Sequence, residues 1–509
     1  MADWTGGYVT DINYTFGYQI EINPLHATLA LLSSGYVPPT LGTHCELGFG
    51  QGISINIHAA ASGGQWYGTD FNPAQVAFAK ELATVSGSSI HLYDESFEEF
   101  CARTDLPEFD SICLHGIWSW ISDENRIVIT EFIRKKLKIG GVLYVSYNTQ
   151  PGWAAMVPMR DLLSEYAQFA SGGESGLVNR IDASLQFAEK LMATKPLFAT
   201  ANPIIAERLR QIKNQNKNYV AHEFFGGDWL PISFSRMVRY LEPAKVNFAC
   251  SARLLDHVDF INLEPEQREL IQSLPDPNLR QTVRDFCVNQ QFRRDYWIKG
   301  LRKLDIVDHN ELLRALPIIL IQPRADVLLE VKGKLGNATM LDPIYELILD
   351  RLSDYQPVTL GDLEKSLLKA GDLKKITQVL LILAGIGVVV ISQDTDVSEK
   401  VSQSCRKLND HLVRKAKSGV EVTYLASPVT GGGIHVSRLE QLFIGSIRAG
   451  NRLPADWAAD VWRVMSPLGK LVKEGKTLET EQENLSEIMS YAEKFAVERL
   501  PVLSTLKVV

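Results

Sequence analysis

The sequence predicts a doubly wound, Rossmann-like α/β domain that is followed by helical domains. Strand-like apolar segments alternate with helix-like segments as far as residue 147, and a glycine-rich turn joins the first strand to the first helix. From residue 154 the pattern changes to helices. Because alternating strands and helices build a parallel sheet with helices on both faces, we expect the α/β domain in the first third of the chain.

The composition is that of a globular protein with several domains. At 509 residues, 45% hydrophobic and 22% charged, the chain can bury a large core, and its length suggests about three domains. The net charge of −8 disfavours non-specific binding to nucleic acid. Six cysteines form no C-x-x-C pair, so we expect neither a zinc site nor a disulfide framework. Met1–Trp4 does not begin a signal peptide, and the apolar run Val379–Ser392 is too short for a membrane span, which predicts a cytoplasmic protein without membrane insertion.

Changes in pattern divide the chain into four predicted segments. These are an N-terminal lid segment, a ligand-binding α/β domain, a helical middle domain and a C-terminal domain, over residues 1–42, 43–155, 156–335 and 336–509. Leu279–Gly300 is predicted as one helix with a solvated, salt-bridged face. Residues 338–395 contain three predicted helices and a strand, as in a winged helix, but the last two helices carry no excess of Lys and Arg. We therefore expect this unit to dock a partner rather than DNA.

The stretch Thr43–Asp70 predicts a nucleoside-binding unit made of a strand, a turn, a helix and a second strand. The turn is G-x-G-x-G, at Gly48, Gly50 and Gly52. It lacks the G-x-G-x-x-G spacing of dinucleotide-binding proteins. Glycine allows close approach of a ligand, the following helix start offers free N–H groups, and an acid after the second strand, Asp70, can bind ribose hydroxyls. An ordinary tight strand–helix turn is the alternative interpretation.

Further candidates follow the other predicted strands, because ligands bind outside the carboxyl ends of strands in open α/β sheets. Asp94 suits a hydrogen bond to an adenine amino group, or alternatively caps a helix over Phe97–Cys101, and Phe97 is placed to flank the adenine ring. Polar and aromatic residues after the fourth and fifth strands are candidates for the reactive end of a ligand: His115, Trp118, Trp120, Tyr147 and Asn148.

Three other groups of residues are left with two interpretations each. Tyr14, Phe16 and Tyr18 alternate in the N-terminal segment and either pack a lid against the core or form a flap over the ligand, with Tyr18 as the preferred contact. His222-Glu223 either faces a catalytic cleft or bonds a helix end. The three glycines from Gly431 lack the Lys-Ser/Thr of a P-loop, so they predict a flexible turn or close backbone packing.

Several motifs together resemble a bacterial family of class I methyltransferases: ELGFGQG, YGTDFNP, HGIWSWI, VSYNTQPGW, YVAHEFF, DFCVNQQFRRD and YLASPVTGGGI. This family pairs an S-adenosylmethionine-binding domain with a methyltransferase regulatory domain, and includes rickettsial protein-lysine methyltransferases that modify an outer-membrane protein. Two departures are Phe49, where the family usually has Cys, and Trp118, where it often has Tyr. The resemblance implies S-adenosylmethionine as cofactor, an enzyme of the methyltransferase class and a protein substrate, with a surface protein as one candidate.

The resemblance also implies roles for individual residues. Glu46 and the three glycines form the cofactor turn, Asp70 holds the ribose, and Asp94 lies at the adenine end. Phe71, Phe97 and Tyr18 complete the candidate cofactor contacts. His115 and Trp118, with Tyr147 or Asn148, are expected near the sulfonium as catalytic candidates.

Methyl transfer from a sulfonium is an in-line displacement, so the protein mainly supplies positioning and desolvation. For a lysine acceptor, we hypothesise that an aromatic slot, rather than a dedicated base, selects the neutral amine. The residues assigned to this slot are Trp118, Trp120, Trp153 and Tyr147. Methylation of a small molecule or glycan, and cofactor binding without catalysis, are the alternative functions.

Overall fold

A computed structural model describes residues 16–40, 42–169, 176–367, 371–419 and 422–509. Tyr14 lies outside these residues. The centre of the fold is a seven-stranded sheet in the order β3-β2-β1-β4-β5-β7-β6. Its strands are β1 Thr43–Leu47, β2 Gln65–Thr69, β3 Ile90–Tyr93, β4 Phe109–Leu114, β5 Leu137–Asn148, β6 Val246–Ser251 and β7 Phe292–Lys299.

The first five strands are parallel, and β7 runs antiparallel to both of its neighbours. The chain leaves β1 toward β2 and β3 and then returns to pair β4 on the other side of β1, so the strand order reverses there. In a parallel sheet this reversal opens a crevice at the carboxyl ends of the central strands. The predicted α/β fold is thus confirmed, and the crevice lies where the glycine turn was expected.

Five helices accompany the parallel strands, and most of them begin next to a side chain that caps the first turn. They are α1 Pro24–Ser33, α2 Ile53–Ala61, α3 Pro73–Ser86, α4 Phe97–Ala102 and α5 Asp123–Lys136. Helix α3 shows the local logic, because the Asn72 side chain accepts hydrogen bonds from the amides of Ala74 and Gln75, and Pro73 supplies the first helical residue.

A group of helices is inserted between β5 and β6. It comprises α6 Val157–Phe169, α7 Leu177–Ala193, α8 Leu197–Ala201, α9 Ile205–Lys213, α10 Lys217–Phe225 and α11 Phe234–Leu241. Apolar side chains of this group form a core of their own, which includes Leu163, Leu185 and Leu209. After β6 come α12 Pro265–Ser273 and α13 Pro277–Cys287, which lead into β7.

The prediction of one helix over Leu279–Gly300 was wrong in its second half. Helix α13 ends at Cys287, Asn289 adopts a left-handed φ of 45°, and Phe292–Lys299 is strand β7. The charged residues of this segment are not a solvated face, because Arg293 and Asp295 are 6% and 1% exposed. Buried ion pairs therefore produced a pattern that resembles an exposed helix.

The C-terminal part begins with a small three-stranded sheet, in the order β11-β8-β12. The elements in chain order are α14 Ile306–Ala315, β8 Pro317–Leu320, β9 Glu330–Gly333, β10 Gly336–Thr339, α15 Ile344–Arg351, β11 Val358–Thr359, α16 Leu360–Ser366, α17 Leu373–Gly385 and β12 Val389–Ile391. Strands β9 and β10 of this part form a separate hairpin. The three predicted helices and the strand after them are present. Since β12 pairs with the upstream strand β8 rather than with a following one, the winged-helix resemblance stays a prediction.

The remaining elements form a mainly helical layer, and its first helix contacts α2 and α3. They are α18 Thr395–Ala416, β13 Tyr424–Ser427, β14 Gly432–His435, α19 Arg438–Arg448, α20 Pro454–Met465, β15 Val472–Lys473, β16 Lys476–Thr477, α21 Glu481–Lys494 and α22 Leu500–Thr505. Within the described ranges, no helix is both long enough and apolar enough to cross a bilayer.

Candidate active site

The glycine-rich turn between β1 and α2 needs glycine for both conformation and space. Gly48, Gly50 and Gly52 have φ values of +71°, +58° and +70°, which other residues rarely adopt. A Cβ atom at Gly52 would lie 2.5 Å from the Cβ of Ala79, whereas one at Gly50 would meet nothing closer than 4.0 Å. The middle glycine thus leaves open space beside the first N–H groups of α2.

Asp70 fixes this turn from the end of β2. Its carboxylate accepts hydrogen bonds from the amides of Gly50, at 2.8 Å, and Asn72, at 3.0 Å. Burial raises the pKa of Asp70 to about 6 in spite of these two bonds, which act in the opposite direction. The residue therefore shapes the turn and also presents a buried carboxyl to the crevice.

Glu46 is a second buried carboxyl, near the end of β1 and just before the glycine turn. It is 4% exposed, and burial first and Asp70 second raise its pKa to about 8. Its Oε2 atom accepts no hydrogen bond from any residue that the structure describes. A buried carboxyl without a donor is unfavourable, so this position suits a ligand that brings an N–H group.

The crevice contains a pocket of about 290 Å³. The structure brings together there most of the predicted cofactor residues: Glu46, Gly48, Gly50, Gly52, Asp70, Phe71, Phe97 and His115. It adds residues that were not predicted as cofactor contacts, including Gly17, Gln19, Gln51, Gln75, Glu95, Ser96 and Ile117. Trp120 also lines the pocket.

His115 lies at the end of β4 beside Tyr144. The His115 Nδ1 atom and the Tyr144 hydroxyl form a hydrogen bond of 2.7 Å, and the two rings are stacked. Burial lowers the pKa of His115 to about 4, although Glu21 acts in the opposite direction. The imidazole is therefore neutral at neutral pH and adds no positive charge to the pocket.

Helix α10, one of the inserted helices, places two titratable side chains in the pocket. His222 and Glu223 both line the pocket, so the cleft-facing interpretation of this pair is the one that the structure favours. Burial raises the pKa of Glu223 to about 7, while the Asn148 side chain and Arg160 oppose the rise. Only the fold brings α10 to the turn, since Glu223 follows Glu46 by well over a hundred residues.

Three of the predicted aromatic slot residues lie outside the pocket. Trp118 is 1% exposed and packs edge-on against Tyr240 in the core. Tyr147 lies on the opposite face of β5 from Ser146 and Asn148, because side chains alternate along a strand. Its hydroxyl donates to Asp295 Oδ2 at 2.8 Å. Trp153 packs against Trp229 among the inserted helices. The slot prediction was therefore wrong for these residues, and only Trp120 remains.

Asn148, the other catalytic candidate at the end of β5, is 1% exposed and does not line the pocket. Its backbone amide donates to Ser119 Oγ at 2.8 Å. A hydrogen bond from its side chain lowers the pKa of Glu223, against the larger effect of burial. Asn148 therefore supports a pocket residue instead of facing a ligand directly.

Two further predicted cofactor contacts, Tyr18 and Asp94, do not line the pocket. Tyr18 packs against His58 and Tyr424, and Gly432 and Gly433 leave room for its ring, whereas its neighbours Gly17 and Gln19 line the pocket. This is the close backbone packing expected for the glycine run.

Asp94 is exposed and is not a helix cap, because Ser96 caps α4 in a reciprocal pair with Glu99. The pocket residues of this segment are Glu95, Ser96 and Phe97, which come one to three positions after Asp94. The contact of Asp94 with adenine therefore has no support from its position and stays a prediction.

The fold and the site define a class I, S-adenosylmethionine-dependent methyltransferase. Two family models match the sequence: a methyltransferase domain over residues 45–145 and a predicted methyltransferase regulatory domain over residues 216–299. The second match begins just before α10 and ends with β7, so the regulatory region contributes two strands of the central sheet and Glu223 of the pocket.

Known proteins resemble the chain over part or nearly all of its length. An uncharacterized protein of Synechocystis sp., sll1526, is 39% identical over 510 residues, which cover 99% of each chain. RP789 of Rickettsia prowazekii is 24% identical over 308 residues, covering 58% of this chain and 53% of that protein. The structure of PKMT2 from Rickettsia typhi in complex with AdoHcy has a TM-score of 0.66 at 17% identity, and the match covers 96% of this chain and 99% of that chain. The chain therefore belongs to the same family as sll1526, and its own sequence carries the methyltransferase and regulatory-domain matches.

Proposed function

We propose that this methyltransferase acts on lysine side chains of a protein. The observation that carries the proposal is Glu223, a buried carboxyl with a pKa of about 7 in the same pocket as the glycine turn. An amine acceptor must lose a proton before it can attack, so an acceptor site for lysine needs a group that can receive one. The resemblance to rickettsial protein-lysine methyltransferases supports the same substrate class.

The pocket residues fit the cofactor at three points. Glu46 offers its Oε2 atom, which has no donor among the described residues, for the ammonium group, and Asp70 offers a carboxyl for the ribose. Phe71 and Phe97 line the same pocket and would flank the adenine. The open space beside Gly50 admits the ligand next to the start of α2. When bound, S-adenosylmethionine supplies an activated methyl group.

Glu223 is suited to receive the proton of the acceptor amine. Its pKa rises from 4.5 to about 7. At about 1.4 kcal/mol per pKa unit, proton transfer to this carboxyl is about 3 kcal/mol less unfavourable than to an exposed glutamate. Desolvation beside Trp120 lowers the amine pKa and reduces the gap further. Neutral His115 does not repel the positively charged acceptor.

The test uses methyl-labelled S-adenosylmethionine and lysate of the source organism. The wild type is compared with Glu223→Gln, with Asp70→Ala as a cofactor-site variant, and with Glu207→Gln as a matched exposed control on α9. We expect label in a protein band and methyl-lysine after hydrolysis. Glu223→Gln should lower transfer by about 10²- to 10⁴-fold, and Glu207→Gln should not change it.

The pH profile gives a second readout. The ionised form of Glu223 accepts the proton, so the wild-type rate should rise as pH increases through about 7 and level off above it. Label only in solvent-extractable material would replace the protein substrate with a small molecule or glycan. Tight cofactor binding without any label would favour a binding-only role, and a wild-type rate in Glu223→Gln would rule out its function as base.

A further inference from the structure

A second cavity, of about 400 Å³, lies in the region of the regulatory-domain match and shares no residue with the candidate active site. It is bounded by strands β6 and β7, helices α12 and α13, and the end of α1. The proposed function leaves this cavity without a role.

The inner wall of the cavity carries an ionic triad with too much negative charge. Arg293 Nη1 lies 2.6 Å from Asp285 Oδ1, and Arg293 Nε lies 2.8 Å from Asp295 Oδ2. The three residues are 6%, 3% and 1% exposed. The triad by itself has one guanidinium for two carboxyls, so it is negative when both are ionised. Arg284 also lines the cavity, but it donates to the carbonyl of Asp256 and lies 3.7 Å from Asp259.

Three acceptor atoms of this wall have no donor. Asp285 Oδ2, Asp295 Oδ1 and Gln290 Oε1 accept no hydrogen bond from any part of the chain that the structure describes. Gln290 is 5% exposed, so all three acceptors belong to side chains that are more than nine-tenths buried. Buried acceptors are almost always paired, and an ammonium group would supply both donors and the missing positive charge.

The rest of the lining holds two acids, Asp256 and Asp259, and two arginines that have no carboxylate partner among the described residues. Arg268 and Arg280 are half-buried, and within the described residues neither guanidinium lies within 4.0 Å of a carboxylate. Arg280 donates through Nε to the carbonyl of Leu274, and Arg268 Nε has no acceptor among the described residues. Guanidinium groups with free donors at a cavity mouth are suited to bind a carboxylate or another anion.

We propose that this cavity binds a small zwitterionic molecule, such as a free amino acid. Its ammonium group pairs with Asp285 and Asp295 on the inner wall, and its anionic group pairs with Arg268 and Arg280 at the mouth. A simple anion would meet the negative triad, and a simple amine would leave the two arginines without a counter-charge. The zwitterion satisfies both walls.

The test is calorimetric titration of the full chain with each common free L-amino acid and with 4-aminobutanoate. Butylamine and butanoate serve as single-charge comparisons. We expect at least one zwitterion to bind saturably and more tightly than either comparison. Asp285→Asn, which keeps the shape, and Arg268→Gln should each weaken binding at least about tenfold, the loss of one charged hydrogen bond. Arg253→Gln, exposed and outside the cavity, should not.

Binding of S-adenosylhomocysteine checks that each variant is folded. If Asp285→Asn does not fold, the half-exposed Arg268 variant carries the test. The proposal is overturned if no zwitterion saturates, if binding survives both substitutions, or if a single-charge comparison binds as tightly. None of these outcomes affects the methyltransferase proposal, because the two pockets share no residue.

Discussion

The pH dependence of cofactor binding should report the state of Glu46. This carboxyl is 4% exposed, has an oxygen without a donor among the described residues, and has a pKa of about 8 before a ligand binds. If Glu46 pairs with the ammonium group of the cofactor, its pKa falls in the complex. Glu46→Gln keeps the size of the side chain and removes this ionisation.

The sign and size follow from linkage. A group whose pKa falls on binding favours binding at high pH, and its contribution is lost as pH drops below the pKa of the free protein. The contribution of Glu46 to affinity should therefore be largest above pH 8 and weaken tenfold per pH unit below it. At about pH 6.5 the gap of about 1.5 units gives roughly a 30-fold weaker Kd, or about 2 kcal/mol.

The assay is calorimetric titration with S-adenosylhomocysteine, which carries the same ammonium group, between about pH 6 and pH 9 in buffers of different ionisation heat. Ionisation of the ligand affects the wild type and Glu46→Gln equally, so the ratio of the two Kd values isolates Glu46. We expect the wild type to release close to one proton per ligand near pH 6.5, and the variant to release less. Glu207→Gln should behave as the wild type. Equal pH dependence in wild type and Glu46→Gln would refute the assignment.

The remaining predictions concern the turn, the core and the link to β7. Gly52→Ala should destabilise the fold by a few kcal/mol more than Gly50→Ala in urea unfolding, since both have positive φ but only Gly52 would place a Cβ 2.5 Å from Ala79; equal losses would contradict the packing argument. Trp118→Ala should cost about 3–5 kcal/mol of stability, whereas Trp120→Ala should slow methyl transfer with little loss of stability, and the reverse result would restore the original slot. Tyr147→Phe should destabilise by about 1–3 kcal/mol, because it leaves the buried Asp295 carboxylate without one donor; an unchanged midpoint would show that the bond is dispensable.

Local patterns in the sequence were enough to predict the first five strands and the turn. Strands and helices alternate through the first five strands as predicted, and the turn at Gly48, Gly50 and Gly52 joins the first strand to the first helix after it. These elements depend on interactions between residues close in sequence, such as caps, periodic apolar positions and glycines with positive φ. For the same reason, Glu46, Asp70 and His115 could be named together, since all follow or end strands of one parallel sheet.

Other features depended on contacts between distant segments, which no local pattern records. Strand β7 was missed because its alternating charges are buried ion pairs rather than an exposed helix face. Trp118 and Trp120 are two residues apart in one motif, yet only the packing of the core decided that Trp118 is buried and Trp120 lines the pocket.

The sequence by itself determined the class of fold and the cofactor turn, because both are built from neighbouring residues along the chain. The tertiary structure alone decided which acid of the inserted helices joins the glycine turn in one pocket, because Glu223 reaches the crevice only where α10 packs beside the sheet. Burial there raises the pKa of Glu223 to about 7, and burial is a property of the assembled fold.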